Sequence, residues 1–215
     1  MAQKIQRIPR EDDSGRREAD RARLLERVAA GLAHEGKNPL QNMVLHVQLM
    51  AEGAQMEKHL SALRDGIGRV DALLRAFGEF AQPEYLPPDL VAAATRALQL
   101  FAYDARRASV QISLKGPAAL LVSCDSRLLN DLVAHALVAA LELSRDGGTI
   151  DFKVHTPPAR AVLELRADGA LARREEAEPH LEALRRLAPE AGCELSIETP
   201  PAGGARFSLS FVQPP

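Results

Sequence analysis

A histidine with an acidic neighbour lies in the segment 31–40, which reads GLAHEGKNPL and sits inside a long helical pattern. A neutral imidazole nitrogen is a competent nucleophile near neutral pH, and a carboxylate beside it can orient the ring or take up its proton. The pair His34 and Glu35 therefore predicts a phosphate acceptor. The alternative from these residues alone is an ordinary histidine on the surface of a helix.

Apolar residues recur at intervals of three and four on both sides of this segment, which predicts two helices. The first has its N-cap at Ser14, ends near Glu52 and breaks at 36–39, where Pro39 kinks it because proline lacks the amide hydrogen. The second covers about 55–81. Its apolar residues keep a strict heptad spacing over three repeats, and they are Met56, Leu60, Leu63, Ile67, Val70, Leu74 and Phe77.

The two helices are joined by a short connection, which predicts an antiparallel α-helical hairpin over 14–82, after a polar and disordered terminus at 1–13. One hairpin cannot bury both of its apolar faces. We expect two copies to pair as a dimeric four-helix bundle. A monomer whose hairpin folds against the rest of the chain is the alternative.

A second domain is predicted over 89–215, after a proline-rich linker at 83–88. The predicted helices are 89–107, 126–143 and 179–188, and the predicted strands are 109–114, 119–123, 149–155, 161–166, 194–199 and 205–212. Helices on one face of a largely antiparallel sheet make an α+β sandwich.

Composition narrows the classes of partner. The 215 residues are 46% hydrophobic and carry a net charge of −2, so no basic surplus attracts nucleic acid or anionic lipid. The chain has no apolar run of about 18 residues and no apolar signal segment near its start, so we expect a cytoplasmic protein without membrane contact. Cys124 and Cys193 lack a C-x-x-C partner and are interpreted as small buried apolar residues.

The segment around the histidine matches the pattern His-Glu-x-x-Asn-Pro-Leu at His34, Glu35, Asn38, Pro39 and Leu40. It resembles the H-box of the histidine kinase dimerisation and phosphotransfer domain. The resemblance implies that His34 is the nucleophile and Glu35 its hydrogen-bond acceptor and general base. Asn38 follows one helical turn later, faces the same side and positions a water or the phosphoryl group, while Pro39 kinks the helix and exposes His34. Apolar surface for the bundle or for a partner helix is offered by Leu40, Met43, Val44 and Val47.

The second domain resembles the ATP-binding domain of histidine kinases, a fold shared with gyrase-type ATPases. The matching segments are 125–132, 181–199 and 203–207. The nucleotide-binding boxes depart from the family. His135 and Ala139 replace two asparagines, and alanine has no oxygen to offer the magnesium ion that the second one helps to hold. We interpret His135 as a packed or capping residue rather than a metal ligand.

Two further boxes are eroded. Asp168 stands where the family reads adenine, but the glycines after it are displaced or absent. The segment Glu178-Pro179-His180 replaces a glycine-rich loop that cradles phosphates. Only twelve residues separate Asp168 from Leu181, which is too few for the family's lid over the nucleotide. We therefore expect a degenerate ATPase-type fold that binds neither ATP nor magnesium.

An intact H-box beside an eroded ATPase-like domain predicts a histidine phosphotransferase of a two-component phosphorelay. In this interpretation His34 takes phosphate from the receiver domain of one response regulator and passes it to another, and autokinase activity is not expected. An active or phosphatase-biased sensor kinase is one alternative, and a non-enzymatic dimeric scaffold is another. His46 and His59 are interpreted as surface or packing residues, and His155 and His180 have no predicted role.

Overall fold

A computed structural model of the chain describes residues 11–51, 56–83, 86–144, 148–158, 160–168, 174–198 and 204–214. Most of the terminus predicted to be disordered, and the predicted helix ends at Glu52 and Gln55, lie outside these residues. So do the residues directly after Asp168, together with Gly203.

Two long helices form the N-terminal region, α1 (Glu11–Ala51) and α2 (Met56–Ala81). Ser14 lies inside α1 rather than at its N-cap, and α1 continues through Pro39 without the predicted break. A proline removes one helical hydrogen bond, but packing on both sides holds this helix together. Val28 is fully buried before the proline, and Met43 packs against α2 after it.

Gly66 brings the two helices of the hairpin close together. A Cβ atom placed on Gly66 would lie 2.6 Å from Cγ of Met43, so only glycine fits without moving that side chain. Nearer the connection, Nδ1 of His46 and Nδ1 of His59 are 2.8 Å apart. The prediction that these two histidines are packing residues is consistent with this contact.

Within its described residues, the second domain has four helices and five strands. They are α3 (Leu90–Leu100), α4 (Ala102–Arg107), β1 (Gln111–Lys115), α5 (Ser126–Leu143), β2 (Thr149–His155), β3 (Arg160–Ala167), α6 (Arg174–Glu190), β4 (Glu194–Glu198) and β5 (Ala205–Val212). The sheet order is β1-β2-β3-β5-β4. The β1–β2 pair is parallel and the other three pairs are antiparallel.

Three predicted elements differ from the structure. The helix predicted over 89–107 is divided at Phe101, whose backbone leaves the helical region while its ring is fully buried. The strand predicted over 119–123 is an isolated bridge between Leu121 and Asp89, because the Asp89 carboxylate caps α3 and also accepts the amide of Leu120. Helix α6 begins at Arg174 and contains Pro179.

The first half of α1 packs directly against the second domain. Leu24 and Val28 are fully buried in the same apolar core as Leu132 of α5. Arg21 is ion-paired with Asp131 of α5 and donates from Nη2 to the carbonyl oxygen at the end of α2, that of Phe80, at 3.0 Å. The part of α1 that precedes His34 therefore packs on the second domain, and the end of α2 shares the same core through Ala76 and Phe80.

Among the helices that the structure describes, none is both long and apolar enough to cross a membrane.

Candidate functional site

His34 lies on the exposed side of α1, and its ring stacks on Tyr103 of α4. The two ring centroids are 4.4 Å apart and the ring planes are within 4° of parallel. Such stacking of aromatic rings contributes favourable free energy beyond that of the apolar area they bury. The stack covers one face of the imidazole and fixes its plane, while the in-plane lone pair of a ring nitrogen is not covered by it.

The acidic neighbour is occupied by another group. Glu35 forms an ion pair with Arg106 of α4, and within the described part of the chain it has no hydrogen bond to His34. The residue that holds the ring is therefore Tyr103. Glu35 instead joins the H-box to α4, while its carboxylate still lines the same cleft as the imidazole.

Gly31 allows α1 to approach α4 closely enough for this stack. A Cβ atom at Gly31 would lie 3.3 Å from the carbonyl oxygen of Leu100 and 3.8 Å from Cβ of Tyr103. Gly31 precedes His34 by about one helical turn and lies on the same side of the helix. The close approach and the ring contact are consequently two parts of one interface between α1 and the α3–α4 corner.

The interface leaves an open cleft of about 460 Å³ beside the imidazole. Its lining residues are His34, Glu35, Lys37, Asn38, Gln41, Tyr103, Arg106 and Arg107. Asn38 thus lies on the same side as His34, as its helical spacing predicts. Three cationic side chains and one carboxylate line the cleft, so it carries a surplus of positive charge that suits an anion.

Sequence reasoning did not identify Tyr103, Arg106 or Arg107 as site residues. They lie on a short helix about 70 positions beyond the H-box, and no local spacing connects the two segments. The available signals are weak: Tyr103 is one of two tyrosines in an aromatic-poor chain, and two adjacent arginines end the helix.

The four apolar residues predicted to bind a partner are divided by the structure. Leu40, Val44 and Val47 are 50%, 58% and 55% exposed, whereas Met43 is half-buried against Gly66 of α2. The first three form a stripe at i, i+4 and i+7 on α1. They leave an uncovered apolar surface beyond Pro39.

At the first of the three segments interpreted as nucleotide boxes, His135 is buried, and its Nδ1 lies 2.9 Å from Nδ1 of His180 on α6. Burial lowers the pKa of His135 to about 3 and that of His180 to about 4. Both rings are neutral at pH 7, and one must donate to the other. Ala139, one helical turn on, is fully buried.

The other two segments with this interpretation differ in their local structure. Asp168 is exposed, and its carboxylate accepts a hydrogen bond from the Thr149 hydroxyl at 2.9 Å. The segment Glu178-Pro179-His180 forms part of α6 rather than a loop. A continuous helix with a proline offers few free backbone amides to a phosphate there.

Helix α1 covers this region of α5 and α6 with a network of ion pairs. Arg27 reaches Asp104 of α4 at 2.9 Å and Glu142 of α5 at 2.7 Å. Asp20 is ion-paired with Arg186 of α6. Two buried carboxylates of α5, those of Asp131 and Glu142, are therefore bound to arginines of α1.

The described residues contain no cluster of three or more histidine, cysteine or acidic side chains that could hold a metal ion. Cys193 is buried and Cys124 half-buried, and neither forms a disulfide. Burial raises the pKa of both thiols to about 12, so both remain protonated at neutral pH, as expected of packing residues.

No family model matches the chain, and no curated protein matches it in sequence. Solved structures do. The catalytic domain of histidine kinase ThkA is 15% identical, with a TM-score of 0.52 over 59% of this chain and 95% of that one. The Acinetobacter baumannii histidine kinase AdeS is 14% identical, with a TM-score of 0.51 over 85% of this chain and 98% of that one.

A structure described as a bacterial phosphotransferase is 16% identical, with a TM-score of 0.50 over 87% of this chain and 96% of that one. At these identities the likeness concerns the fold. The chain consists of a helical N-terminal region followed by an α/β domain with a five-stranded mixed sheet, and it has the histidine kinase ATPase-type fold.

Proposed function

We propose that this protein is a histidine phosphotransferase of a two-component phosphorelay, with His34 as the phosphate carrier. The observation that carries the proposal is a contrast between two sites. His34 is exposed in a cleft with surplus positive charge, whereas His135 and Ala139, at the positions of the nucleotide box, are buried, and His135 contacts His180 of α6. The similar structure described as a phosphotransferase, which matches most of both chains, supports the same function.

The donor in this proposal is an aspartyl phosphate on the receiver domain of a response regulator. The lone pair of a His34 nitrogen forms a bond to phosphorus while the phosphorus–oxygen bond to the receiver breaks, which returns the receiver's carboxylate. The other ring nitrogen then releases its proton to water or to Glu35, whose carboxylate lines the same cleft. Transfer to a second receiver is the same exchange in reverse. Asn38 is placed to position the phosphoryl group or a water.

An acceptor of this kind needs no nucleotide, because its donor is already activated. Binding of ATP at the first of these boxes would require space where His135 and Ala139 are buried, with loss of the packing around them and of the contact between His135 and His180. These contacts support loading of His34 by another protein.

A sensor histidine kinase is the second candidate. It is favoured by the complete H-box pattern, by the exposed Asp168, and by the two similar structures described as histidine kinases. Calorimetric titration with Mg-ATP separates the two candidates: we expect no binding, and clear binding lost on Asp168→Ala would favour the kinase.

The uncovered apolar stripe is proposed to pair with a second copy of the chain. Leu40, Val44 and Val47 of α1 are matched on α2 by a heptad series whose residues are 40%, 56% and 61% exposed, namely Leu60, Ile67 and Leu74. Helices with such series form four-helix bundles. We expect a dimer by analytical ultracentrifugation, and a monomer for Val44→Glu combined with Ile67→Glu. A wild-type monomer at micromolar concentration would contradict the bundle.

The decisive experiment is incubation of the full chain with a panel of phosphorylated receiver domains. We expect acid-labile phosphate on the wild-type protein that is absent from His34→Ala and retained by His155→Ala, a control on β2 away from the cleft. Phosphate loss from a receiver in the presence of His34→Ala would contradict the role of His34. If neither a receiver nor a small phosphodonor labels the wild-type protein, the scaffold alternative is favoured.

A further inference from the structure

The second domain contributes charged side chains to the cleft at His34 that the predicted mechanism does not use. We propose that Lys37 and Arg107 form an anion subsite that holds the oxygens of the phosphoryl group beside the His34 ring. This inference rests on the proposed function of His34 and deepens it, because it makes α4 part of the transfer site.

Two cationic side chains of the cleft lack a carboxylate partner among the described residues. Lys37 and Arg107 are both exposed, line the cleft with His34, and have no carboxylate partner within the described ranges of the chain. Arg106 differs from them, because Glu35 neutralises it. Two cations next to an exposed nucleophilic ring are therefore available to an incoming anion.

The acidic groups on the far side of Arg107 do not change this balance. Arg107 also lines a neighbouring polar cleft that contains Asp104 and Glu142. Both of these carboxylates are held by Arg27, at 2.9 and 2.7 Å. Both carboxylates are thus paired with Arg27, and the guanidinium of Arg107 forms no ion pair with any described residue.

Contacts with His34 and Glu35 fix the position of helix α4 beside the imidazole. Helix α4 contacts both His34 and Glu35, since Tyr103 stacks on the imidazole and Arg106 pairs with the carboxylate. Arg107 is the next residue of the same short helix, so these two contacts set its backbone position relative to the imidazole, and its side chain lines the same cleft. A cation held near a reaction centre by a rigid element stabilises charge there without rearrangement.

The phosphoryl group carries negative charge that a cationic subsite stabilises. During phosphoryl transfer, negative charge is spread over the three oxygens that are neither attacking nor leaving. Arginine and lysine stabilise such oxygens through charge-assisted hydrogen bonds. Lys37 and Arg107 form and break no covalent bond. The bond from phosphorus to the donor breaks, the bond to His34 forms, and both cations keep their protons throughout.

Phosphoramidate, a small donor that phosphorylates histidine and releases ammonia, tests the subsite without a known receiver. With the full chain we expect Arg107→Gln and Lys37→Gln to slow formation of phospho-His34 by about tenfold each, the factor expected for one charge-assisted hydrogen bond. The thermal unfolding midpoint should not change, because both side chains are exposed and unpaired. Arg107→Lys should recover part of the rate. Arg75→Gln, which removes an exposed cation on α2, is the matched control.

A second readout makes the inference independent of turnover. Titration with inorganic phosphate should shift the ring-proton NMR signals of His34 in the wild-type protein, and Arg107→Gln should require about ten times more phosphate for the same shift. Equal titration curves, or equal phosphoramidate rates for wild type and both glutamine variants, would overturn the subsite while leaving His34 as the carrier. A wild-type protein that shifts with phosphate but is never phosphorylated would support the subsite and refute the proposed function.

Discussion

The imidazole of His34 and the phenol ring of Tyr103 lie 4.4 Å apart and within 4° of parallel, although one belongs to the hairpin and the other to the second domain. The ion pair between Glu35 and Arg106 joins the same two helices one residue further along. The second domain therefore contacts α1 directly at His34 and Glu35. It has a structural task at His34, because it contacts both the imidazole and the neighbouring carboxylate.

Tyr103 is predicted to orient the nucleophile. Replacing it with alanine removes a contact worth about 0.5–1.5 kcal/mol for an aromatic pair, so we expect phosphorylation of His34 to slow by about two- to tenfold. The ring-proton NMR signals of His34 should also move downfield as the ring current of tyrosine is lost. Tyr103→Phe is the matched variant and should keep both the rate and the shifts. A rate lost equally in both variants would show that the hydroxyl, rather than the stack, matters.

Arg27 is predicted to be the most costly ion-pair residue between α1 and the second domain. Asp104 and Glu142 are each 8% exposed, and Arg27→Leu would remove the guanidinium that pairs with both. Breaking a buried pair on one side costs about 3–5 kcal/mol, and we expect a loss of that size in the free energy of unfolding measured with urea.

The matched control for Arg27 is Arg75→Leu, which breaks an exposed pair with Asp71 on α2. Exposed pairs contribute about 0–1 kcal/mol. Similar losses for the two leucine variants would mean that the interface between α1 and the second domain is solvated, contrary to the structure.

Gly66 is predicted to be required for the hairpin, whereas Gly68 is not. A methyl group on Gly66 would meet the Met43 side chain at 2.6 Å, but one on Gly68 meets nothing within 4 Å. Gly68→Ala should stabilise the protein by about 0.5–1 kcal/mol through helix propensity. Gly66→Ala should lose this gain and destabilise the protein, as measured by urea unfolding. Equal stabilisation by both alanines would show that Met43 moves aside without cost.

Much of the second domain follows from local pattern. Helix α5 and strands β2 and β5 have the predicted bounds. Their signals are local and unambiguous: the Asp125 carboxylate caps α5 by accepting the amides of Arg127 and Leu128, and the strands alternate between buried and exposed residues. The division at Phe101 and the early start of α6 depend on packing against the core and carry no such signal.

The candidate site at His34 can be predicted from the sequence only in part, for the same reason. The H-box residues share one helical segment, so their spacing identifies His34, Glu35 and Asn38 without any structure. The contacts that hold these residues come from positions about 70 residues away, and the His135–His180 pair joins positions 45 residues apart. Contacts between distant segments are set by how whole elements pack, which no single periodicity records.

The buried pair His135 and His180 predicts a pH dependence of stability. The two Nδ1 atoms share one hydrogen at 2.9 Å, and burial lowers the pKa values to about 3 and about 4. In the unfolded chain both values return to about 6.5. Between pH 6.5 and 4 the unfolded chain therefore binds protons that the folded chain does not, and stability falls as the pH falls through this range.

Other groups packed around the pair modify this dependence. The charges facing it are Asp20, Arg23 and Arg27 of α1, Glu142 of α5 and Arg186 of α6. Asp131 acts in the opposite direction, because burial raises its pKa to about 6 and the folded chain then binds a proton that the unfolded chain lacks above about pH 4. The histidine contribution must therefore be measured as a difference between variants.

The difference is obtained from urea unfolding of the wild type and of His135→Gln combined with His180→Gln, at intervals between pH 7.5 and 4.5. Each histidine that takes up a proton on unfolding contributes a slope of about 1.4 kcal/mol per pH unit. The wild type should thus lose stability faster than the double variant below pH 6.5, with parallel curves above it. Arg75→Gln, which removes an exposed cation on α2 that keeps its proton throughout this range, should keep the wild-type slope. Identical slopes for the wild type and the double variant would mean that the pair is solvated, and α1 would then not cover this face of α5 in solution.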